Sequence, residues 1–341
     1  MPDPIASRSA ARARRVRAVR AAAFVAALAA ACLSSAPVPA ASSLTAGFPR
    51  LDTGARGTAL SGQLTALAEG SEAIHWNAAG LLSLERREVS FTYADLFGLG
   101  LVTHSTAQFA WPQTRKQTRW EAGTIRRVPL PPPAERAFGV IVSGLRGELG
   151  AEDYYLELQG GLAYAWRMPG SARAGAVYRY LNARSDLDGA AGSGHTLDLG
   201  LLRPIGPFTL GASVANAVSV TRWRSGAAER PGTDLDEPLA QRWSLGLAWH
   251  APRPGLTLTV QGDWAGLPPE AVQAGAAAEW SPLRPLALRG GYRHRSDALG
   301  GRDEWSGGLG VRAGEFRVDY GWQSSGHDLG ATHRWTAGLA L

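Results

Sequence analysis

The chain of 341 residues contains one cysteine, Cys32, and one lysine, Lys116. A lone cysteine excludes the disulfide framework that stabilises many small exported domains. After the N-terminal region, no segment approaches the roughly 20 continuous apolar residues that a helical membrane span needs. If the mature chain lies in a membrane, it must therefore cross it as β-strands.

The first 41 residues have the composition of a targeting segment. Six arginines precede an apolar run from Ala21 to Leu33, and small residues follow at Val38, Ala40 and Ala41. This order predicts a secretory signal peptide over residues 1–41, with cleavage after the small residues. The alternative is that Cys32 ends a lipoprotein cleavage box, although the leucine usual in such boxes is missing.

The formal net charge of +6 comes from 35 basic and 29 acidic residues. Without the six arginines and Asp3 of the first twenty positions, 29 basic and 28 acidic residues remain. The basic character therefore belongs to the targeting segment, and no nucleic-acid partner is expected.

Residues 87–341 consist of stretches of about ten residues in which apolar and polar side chains alternate, separated by turns, as in outer-membrane barrels. In the segment from Phe316 to Trp322, one face is apolar and aromatic while the other carries Arg317, Asp319 and Gly321. We predict an all-β fold, a 14-stranded antiparallel transmembrane β-barrel, with strands at 88–95, 102–111, 136–145, 155–167, 172–182, 194–203, 207–216, 239–250, 256–264, 272–281, 286–293, 304–313, 315–323 and 333–341.

The connections and the tryptophans support this count. From the fourth strand on, short turns alternate with longer loops, and tryptophans lie near strand ends, where they suit the two membrane interfaces. The segment 112–135 does not fit, since it places an insertion or extended hairpin on the short-turn side. A soluble β-sandwich or propeller with tryptophans in its core is the alternative fold.

Residues 42–86 are predicted to form a periplasmic segment and a plug inside the barrel. Leu60, Leu64 and Leu67 recur at helical spacing, and intervening glycines divide the segment into short pieces. Ser71 is expected to cap a second short helix that ends near Gly80.

This segment also carries a resemblance to a known family, the PorV/PorQ outer-membrane proteins, which are similar to the FadL-type barrels. The matching plug residues are Gly54, Arg56, Gly57, Gly62, Trp76, Asn77 and Gly80. Further stretches match in family order at 197–202, 210–216, 289–293, 319–322 and 329–334. Ala78 stands where the family usually has proline, so the turn after Asn77 is less rigid.

No catalytic, cofactor or metal-binding pattern is found, and we expect no enzyme activity. The seven histidines lack metal-ligand spacing. Two local pairs, His195 with Asp198 and His327 with Asp328, lack a recognisable nucleophile, and their histidines are interpreted as solvated loop residues.

Several charged and polar residues fall on the inward face of the predicted strands. They are expected to pair with one another and with the plug, or alternatively to line a substrate path: Glu157, Gln159, Arg179, Asp198, Asp263, Arg289, Arg317 and Asp319.

Fourteen strands enclose a lumen wide enough to leak, because eight are filled by their own side chains and sixteen leave a water channel. Trp76 and Asn77 are expected to close its periplasmic mouth. The resemblance implies a transport or secretion component in outer-membrane lipid, acting in type IX-like export with partner proteins and cargo held by the loop Arg222 to Pro238. The alternative is a FadL-like channel for hydrophobic small molecules.

Overall fold

The computed structural model describes residues 51–113, 120–121, 124–125, 134–148, 150, 153–186, 190–224, 235–252, 255–265, 272–297, 300–325 and 330–341. The predicted signal peptide lies outside these residues and stays a prediction. Fourteen long strands confirm the expected number, and they are β1 (Glu88–Leu96), β2 (Val102–Gln113), β3 (Arg136–Glu148), β4 (Tyr154–Arg167), β5 (Arg173–Ser185), β6 (Ala191–Ile205), β7 (Phe208–Arg224), β8 (Arg242–His250), β9 (Leu256–Ala265), β10 (Val272–Leu283), β11 (Leu286–Asp297), β12 (Gly300–Ala313), β13 (Phe316–Ser324) and β14 (Ala331–Ala340).

The strands form one closed antiparallel barrel. Each strand pairs with the next in sequence, and β1 pairs with β14 from Glu88 opposite Ala340 to Asp95 opposite His333. Closure gives every strand two neighbours, so that the backbone groups need no water inside a bilayer. The alternative of an open sandwich or propeller is therefore wrong.

The connections alternate as expected. Turns such as 206–207 and 314–315 are short, whereas the opposite end carries the longer connections 225–241 and 266–271. Within the 112–135 segment, the short strands Trp120–Glu121 and Thr124–Ile125 pair antiparallel. This pairing agrees with the extended-hairpin interpretation of that segment.

The outer surface is apolar because alternate side chains point away from the lumen. On β4, Leu158 and Leu162 are 48% and 62% exposed, while Glu157 and Gln159 on either side of Leu158 are 0% and 7% exposed. Aromatic rings also stack across strands, with Trp111 and Phe138 5.5 Å apart. This surface suits lipid contact with an aromatic girdle at its edge.

The plug consists of three short helical pieces: α1 (Ala55–Ala59), α2 (Ala73–Trp76) and a 3-10 helix (Ala78–Ser83). The predicted cap was wrong, because the Ser71 hydroxyl bonds Glu88 and Ser90 of β1 instead of the helix backbone. Gly80 lies inside the 3-10 helix and not at the end of α2. The Ser71 side chain therefore fixes the plug to the wall instead of capping the helix. Among the described residues, no helix has the length and apolar character needed to cross a membrane.

Candidate functional site in the lumen

The plug is seated against a ring of strand glycines. A β-carbon added to any of them would lie closer to a neighbouring atom than ordinary van der Waals contact allows, for example 2.6 Å from Ile74 Cδ1 at Gly139 and 2.7 Å from the Leu60 carbonyl carbon at Gly291. The glycines whose added β-carbon would meet the plug are Gly139, Gly175, Gly200, Gly211, Gly246, Gly275, Gly291, Gly308 and Gly321. The wall is therefore shaped to receive the plug backbone at close range.

The predicted plug motif residues hold the plug together and fix it to the wall. Trp76 Nε1 donates to the Thr53 carbonyl at 3.0 Å, and its ring fills the space beside Gly57. Asn77 Nδ2 donates to the Thr65 carbonyl at 2.9 Å and to the Leu201 carbonyl of β6 at 3.0 Å. Asn77 thus joins two parts of the plug to the barrel, a structural role that the sequence resemblance did not specify.

A buried charge cluster joins one side of the plug to β10, β11 and β13. Glu279 accepts hydrogen bonds from Arg56 Nε of the plug at 2.8 Å and from Arg289 Nε at 2.7 Å. Arg317 Nη2 donates to Glu72 at 2.8 Å and Arg289 Nη1 donates to Asp319 at 2.6 Å. Arg289, Arg317 and Asp319, expected to pair with one another and with the plug or to line a path, meet here: Arg317 pairs with Glu72 of the plug, whereas Arg289 and Asp319 pair with each other.

Glu72 belongs to the plug part of that cluster. Burial raises the pKa of its carboxyl group, against the opposing effect of Arg317. Its Oε2 is buried without a hydrogen-bond partner among the described residues. One Glu72 oxygen, Oε1, is therefore bound by Arg317, while the other, Oε2, has no hydrogen-bond donor.

A second cluster lies on the other side of the plug. Arg293 of β11 donates to Asp52 of the plug at 3.1 Å and to Glu304 of β12 at 2.9 Å. Burial alone would raise the pKa of Asp52, but the charges of Arg293, Arg334, Arg242 and Arg295 together hold it below its ordinary value.

The remaining predicted lumen residues also face inward. Arg179 Nε donates to Asp198 at 2.7 Å, and its Nη2 donates to the Ile74 carbonyl of the plug at 3.0 Å. Asp263 accepts two bonds from Gln261. The sequence interpretation did not single out Asp52, Glu279, Arg293 and Glu304, although the three on strands stand at alternate, inward positions that could have marked them.

A small cavity remains between the plug and the wall. It measures about 30 Å³ and is bordered by His75 and Trp76 of the plug and by Arg242, Ser244 and Asp263 of the wall. Val177, Leu199 and Val214 of β5, β6 and β7 also line it. The cavity therefore lies between the plug and the inner side of the wall from β5 to β11.

Beside this cavity, the backbone hydrogen-bond ladder between β7 and β8 is interrupted. β7 pairs with β8 only up to Ala215, opposite Arg242, and with the short strand Leu235–Glu237 only from Thr221 on. Asn216 has a left-handed backbone with φ of 56°, and the β6–β7 register shifts between Leu197 and Leu199. We call the stretch 216–220 of β7 and the facing 238–241 the seam.

Side chains span the seam in place of ladder bonds. Asn216 Nδ2 donates to the Ala240 carbonyl at 3.0 Å, and Gln241 Nε2 donates to the Ala217 carbonyl at 2.9 Å. The Ser219 hydroxyl accepts from the Leu239 amide at 2.8 Å and donates to its carbonyl at 3.3 Å. These four bonds hold the wall closed here.

The candidate enzyme pairs are not assembled. His195 and Asp198 lie on opposite faces of β6, since His195 is exposed and bonded to Tyr178 on the outer surface while Asp198 faces the lumen. His327 and Asp328 lie outside the described residues. Within the part of the chain that the structure describes, no group of three or more His, Cys, Asp or Glu side chains is placed to hold a metal ion.

Comparison with solved structures defines the class of fold. The Ralstonia pickettii toluene transporter TbuX superposes with a TM-score of 0.55 at 12% identity, covering 84% of this chain and 97% of that one. The monoaromatic hydrocarbon channel CymD gives 0.58 at 12%, covering 84% and 97%, and a Pseudomonas aeruginosa FadL homologue gives 0.57 at 10%, covering 84% and 98%. The chain has the FadL-like, 14-stranded fold of outer-membrane barrels.

Two further comparisons found no match. No protein-family model matches the chain, and no curated protein matches it. The TbuX and CymD structures are described as a toluene transporter and a monoaromatic hydrocarbon channel, and at 12% identity their likeness to this chain concerns the fold. The narrower resemblance to PorV/PorQ stays a prediction.

Proposed function

We propose that this barrel is a channel for small hydrophobic molecules, which leave its lumen sideways through the seam between β7 and β8. The observation that carries the proposal is the interruption of the β7–β8 ladder beyond the pair Ala215 and Arg242, two residues that also line the cavity beside the plug. A molecule that passes there reaches the hydrocarbon of the bilayer without crossing the plug.

The chemistry of the seam suits this route. Val177 and Val214 give the cavity an apolar side, and the seam is closed by four side-chain hydrogen bonds instead of a continuous ladder. A typical hydrogen bond contributes only about 0.5–1.5 kcal/mol net, so these four bonds hold the stretch closed by roughly 2–6 kcal/mol.

The structural relatives support the same class of solute. TbuX is described as a toluene transporter and CymD as a monoaromatic hydrocarbon channel. At 12% identity these likenesses concern the fold, and the solute is therefore our proposal for this chain.

A disulfide across the seam tests the proposal. Ser219 and Leu239 are replaced by cysteine in a Cys32→Ser background, since the Ser219 hydroxyl lies 2.8 Å from the Leu239 amide nitrogen. Uptake of labelled toluene is measured in Gram-negative cells that lack other channels of this class. We expect oxidation to abolish the uptake due to the barrel and reduction to restore it.

The control pair is Leu247→Cys with Val260→Cys, which face each other across the regular β8–β9 ladder. A disulfide there should leave uptake unchanged. Wild-type uptake through the oxidised seam variant, with the crosslink verified by mass spectrometry, would contradict the wall route.

The export role implied by the PorV/PorQ resemblance is a separate proposal. Its cargo loop, Arg222 to Pro238, is described only at its two ends, where Arg222 pairs with Asp236 at 2.9 Å. Purification of the barrel from outer membranes in mild detergent, with mass spectrometry of proteins and lipids, separates the two roles. Recovery of exported proteins with the barrel would favour export, and recovery of a hydrophobic ligand would favour the channel.

A further inference from the structure

Two arginines lie side by side on the outer surface of the barrel. Arg146 of β3 and Arg184 of β5 both stand opposite Leu156 of β4, so the three residues form one row across neighbouring strands. Both arginines are exposed, and each occupies one of the alternate positions that face away from the lumen. Because adjacent strands are about 4.8 Å apart, the backbones of the two arginines are separated by about 10 Å.

The row lies at the outer edge of the apolar band. On the outward face of β3, three apolar side chains and a glycine separate Arg136 from Arg146, which stands ten positions further along the strand. Ten residues span about 33 Å along a strand. The usual tilt of about 40° reduces this to about 25 Å, which is the height of the apolar band in outer-membrane barrels. Strands β3 and β5 end on the side of the longer connections, which faces the cell exterior in such barrels, so the row lies at the level of the outer headgroups.

Both guanidinium groups are held over one aromatic ring. The guanidinium carbons of Arg146 and Arg184 lie 5.4 and 5.8 Å from the centre of the Tyr154 ring. Arg184 Nη2 also donates to the Tyr154 hydroxyl at 3.1 Å. These contacts fix the direction of two long side chains and leave most of their N–H donors unused. The two cations are therefore positioned beside each other before any partner binds.

The neighbouring carboxylates do not neutralise these arginines. Within the described ranges of the chain, neither guanidinium has a carboxylate oxygen within 4.0 Å. Glu148 and Asp186 stand two positions beyond Arg146 and Arg184, about 7 Å further along each strand from the apolar band. A third acid, Asp153, lies in the connection between β3 and β4. An anion at the edge of the hydrocarbon therefore meets the arginines before it meets the acids.

A lipid phosphate fits this arrangement. A phosphate carries negative charge and several acceptor oxygens, which planar guanidinium groups bind through paired hydrogen bonds. On the membrane side of the row, Leu158 and Tyr180 are 48% and 44% exposed on the outer surface, where acyl chains contact the barrel. The surface thus places two cations next to an apolar face, in the order in which a lipid joins its phosphate to its chains.

We propose that Arg146 and Arg184 bind a phosphate of a phosphorylated glycolipid in the outer leaflet, whose acyl chains lie along the outer faces of β3, β4 and β5. In such a lipid the phosphorylated sugars lie directly above the chains, at the level of the arginine row. The ligand is a lipid of the surrounding membrane and not a transported solute, so this surface goes beyond the proposed channel and does not depend on it.

Lipid binding by the purified barrel in detergent tests the surface, with native mass spectrometry as the readout and diphosphorylated lipid A as the probe. Wild type should bind this lipid in preference to its fully dephosphorylated form. The double variant Arg146→Gln with Arg184→Gln should bind diphosphorylated lipid A at least about tenfold more weakly, because two charge-assisted contacts are lost. Its binding of the dephosphorylated form should equal that of wild type.

The matched control is Arg136→Gln with Arg312→Gln, which removes two exposed arginines at the opposite edge of the barrel and changes the net charge equally. This control should bind lipid A as wild type does. Glu148→Gln with Asp186→Asn should bind it at least as tightly as wild type. Weaker binding by that variant would show that the acids hold the lipid, and would overturn the proposal. Correct folding of each variant is verified by its heat-dependent shift on a detergent gel.

Equal binding of lipid A by wild type and by Arg146→Gln with Arg184→Gln would overturn the proposal. Equal binding of the dephosphorylated form by wild type would do the same, because the phosphate would then not be recognised. A further arm uses phosphatidylglycerol, and binding as tight as that of lipid A would show that the assignment to a glycolipid is wrong. The seam disulfide lies elsewhere on the wall, so failure of this proposal leaves the test of the channel unchanged.

Discussion

The glycine ring predicts that one added methyl group will unseat the plug. In Gly211→Ala, the new β-carbon would lie 2.6 Å from the Ala66 Cα and still closer to the Thr65 carbonyl oxygen. Both are backbone atoms of the plug, so no flexible side chain can move aside. Either the plug segment around Thr65 or the wall strand β7 must shift.

The cost of such overpacking is about 1–3 kcal/mol, even where the surroundings relax. Because 1.4 kcal/mol corresponds to a factor of ten, the population with a displaced plug should rise about 5- to 140-fold. Single-channel recording in planar bilayers measures this directly, since a displaced plug opens the lumen. We expect more frequent conductive openings in Gly211→Ala than in wild type.

Gly160→Ala is the matched control, because a β-carbon at this glycine of β4 would meet no atom within 4 Å. This variant should conduct like wild type. If Gly211→Ala also conducted like wild type while remaining folded, the plug would not be seated by close backbone contact, and the argument from the glycine ring would be wrong.

Three further predictions concern the contacts of the plug. Glu279→Gln leaves Arg56 and Arg289 without their shared carboxylate and should destabilise the barrel by about 3–5 kcal/mol in urea unfolding. The control is Arg222→Gln, at the exposed pair with Asp236, which should not change the free energy of unfolding measurably. Trp76→Ala removes packing and an indole hydrogen bond and should cost about 3–5 kcal/mol in the same assay. The pKa of His75 is lowered in the folded protein, so below pH 6.5 the imidazole takes up a proton in the unfolded state but not in the folded one. The free energy of unfolding is therefore highest above pH 6.5 and falls as the pH falls. Below pH 6.5, the free energy of unfolding of the wild type should therefore fall by about 1.4 kcal/mol more per pH unit than that of His75→Gln. Equal pH dependence of the two unfolding free energies would contradict this.

Much of the wall could be predicted from the sequence because lipid imposes a simple alternation. The predicted strand 256–264 and the observed strand Leu256–Ala265 differ by one residue, since Leu258 and Val260 must face lipid while Thr259 and Gln261 face the lumen. The end of β7 was missed by eight residues. Its outer half lies beyond the bulge at Asn216, where the alternation changes phase and no longer marks a strand.

The pairing of the charged residues could not be predicted in the same way. Arg289 and Asp319 were expected in the lumen, but their shared cluster with Arg56 and Glu72 depends on how the plug is seated. The position of the plug is set by glycines on many strands. These glycines lie at the same level along the barrel axis, which can be recognised only once the strand register is known. In the sequence, a luminal glycine at a plug contact and a lipid-facing glycine such as Gly160 look alike.

The seam is the weaker of the two places where this barrel could open. Moving the plug out would separate the buried pairs of Arg56 with Glu279, Arg293 with Asp52 and Arg317 with Glu72. A hydrogen bond to a charged group contributes about 1.5–3 kcal/mol net, so the three pairs together resist by roughly 5–9 kcal/mol, in addition to the buried packing of the plug.

Opening the seam breaks four side-chain hydrogen bonds, and at about 0.5–1.5 kcal/mol each these resist by roughly 2–6 kcal/mol. The wall should therefore open while the plug stays in place. A disulfide that fixes the plug to the wall should leave uptake intact, and a loss of uptake in that variant would show that the plug is the gate.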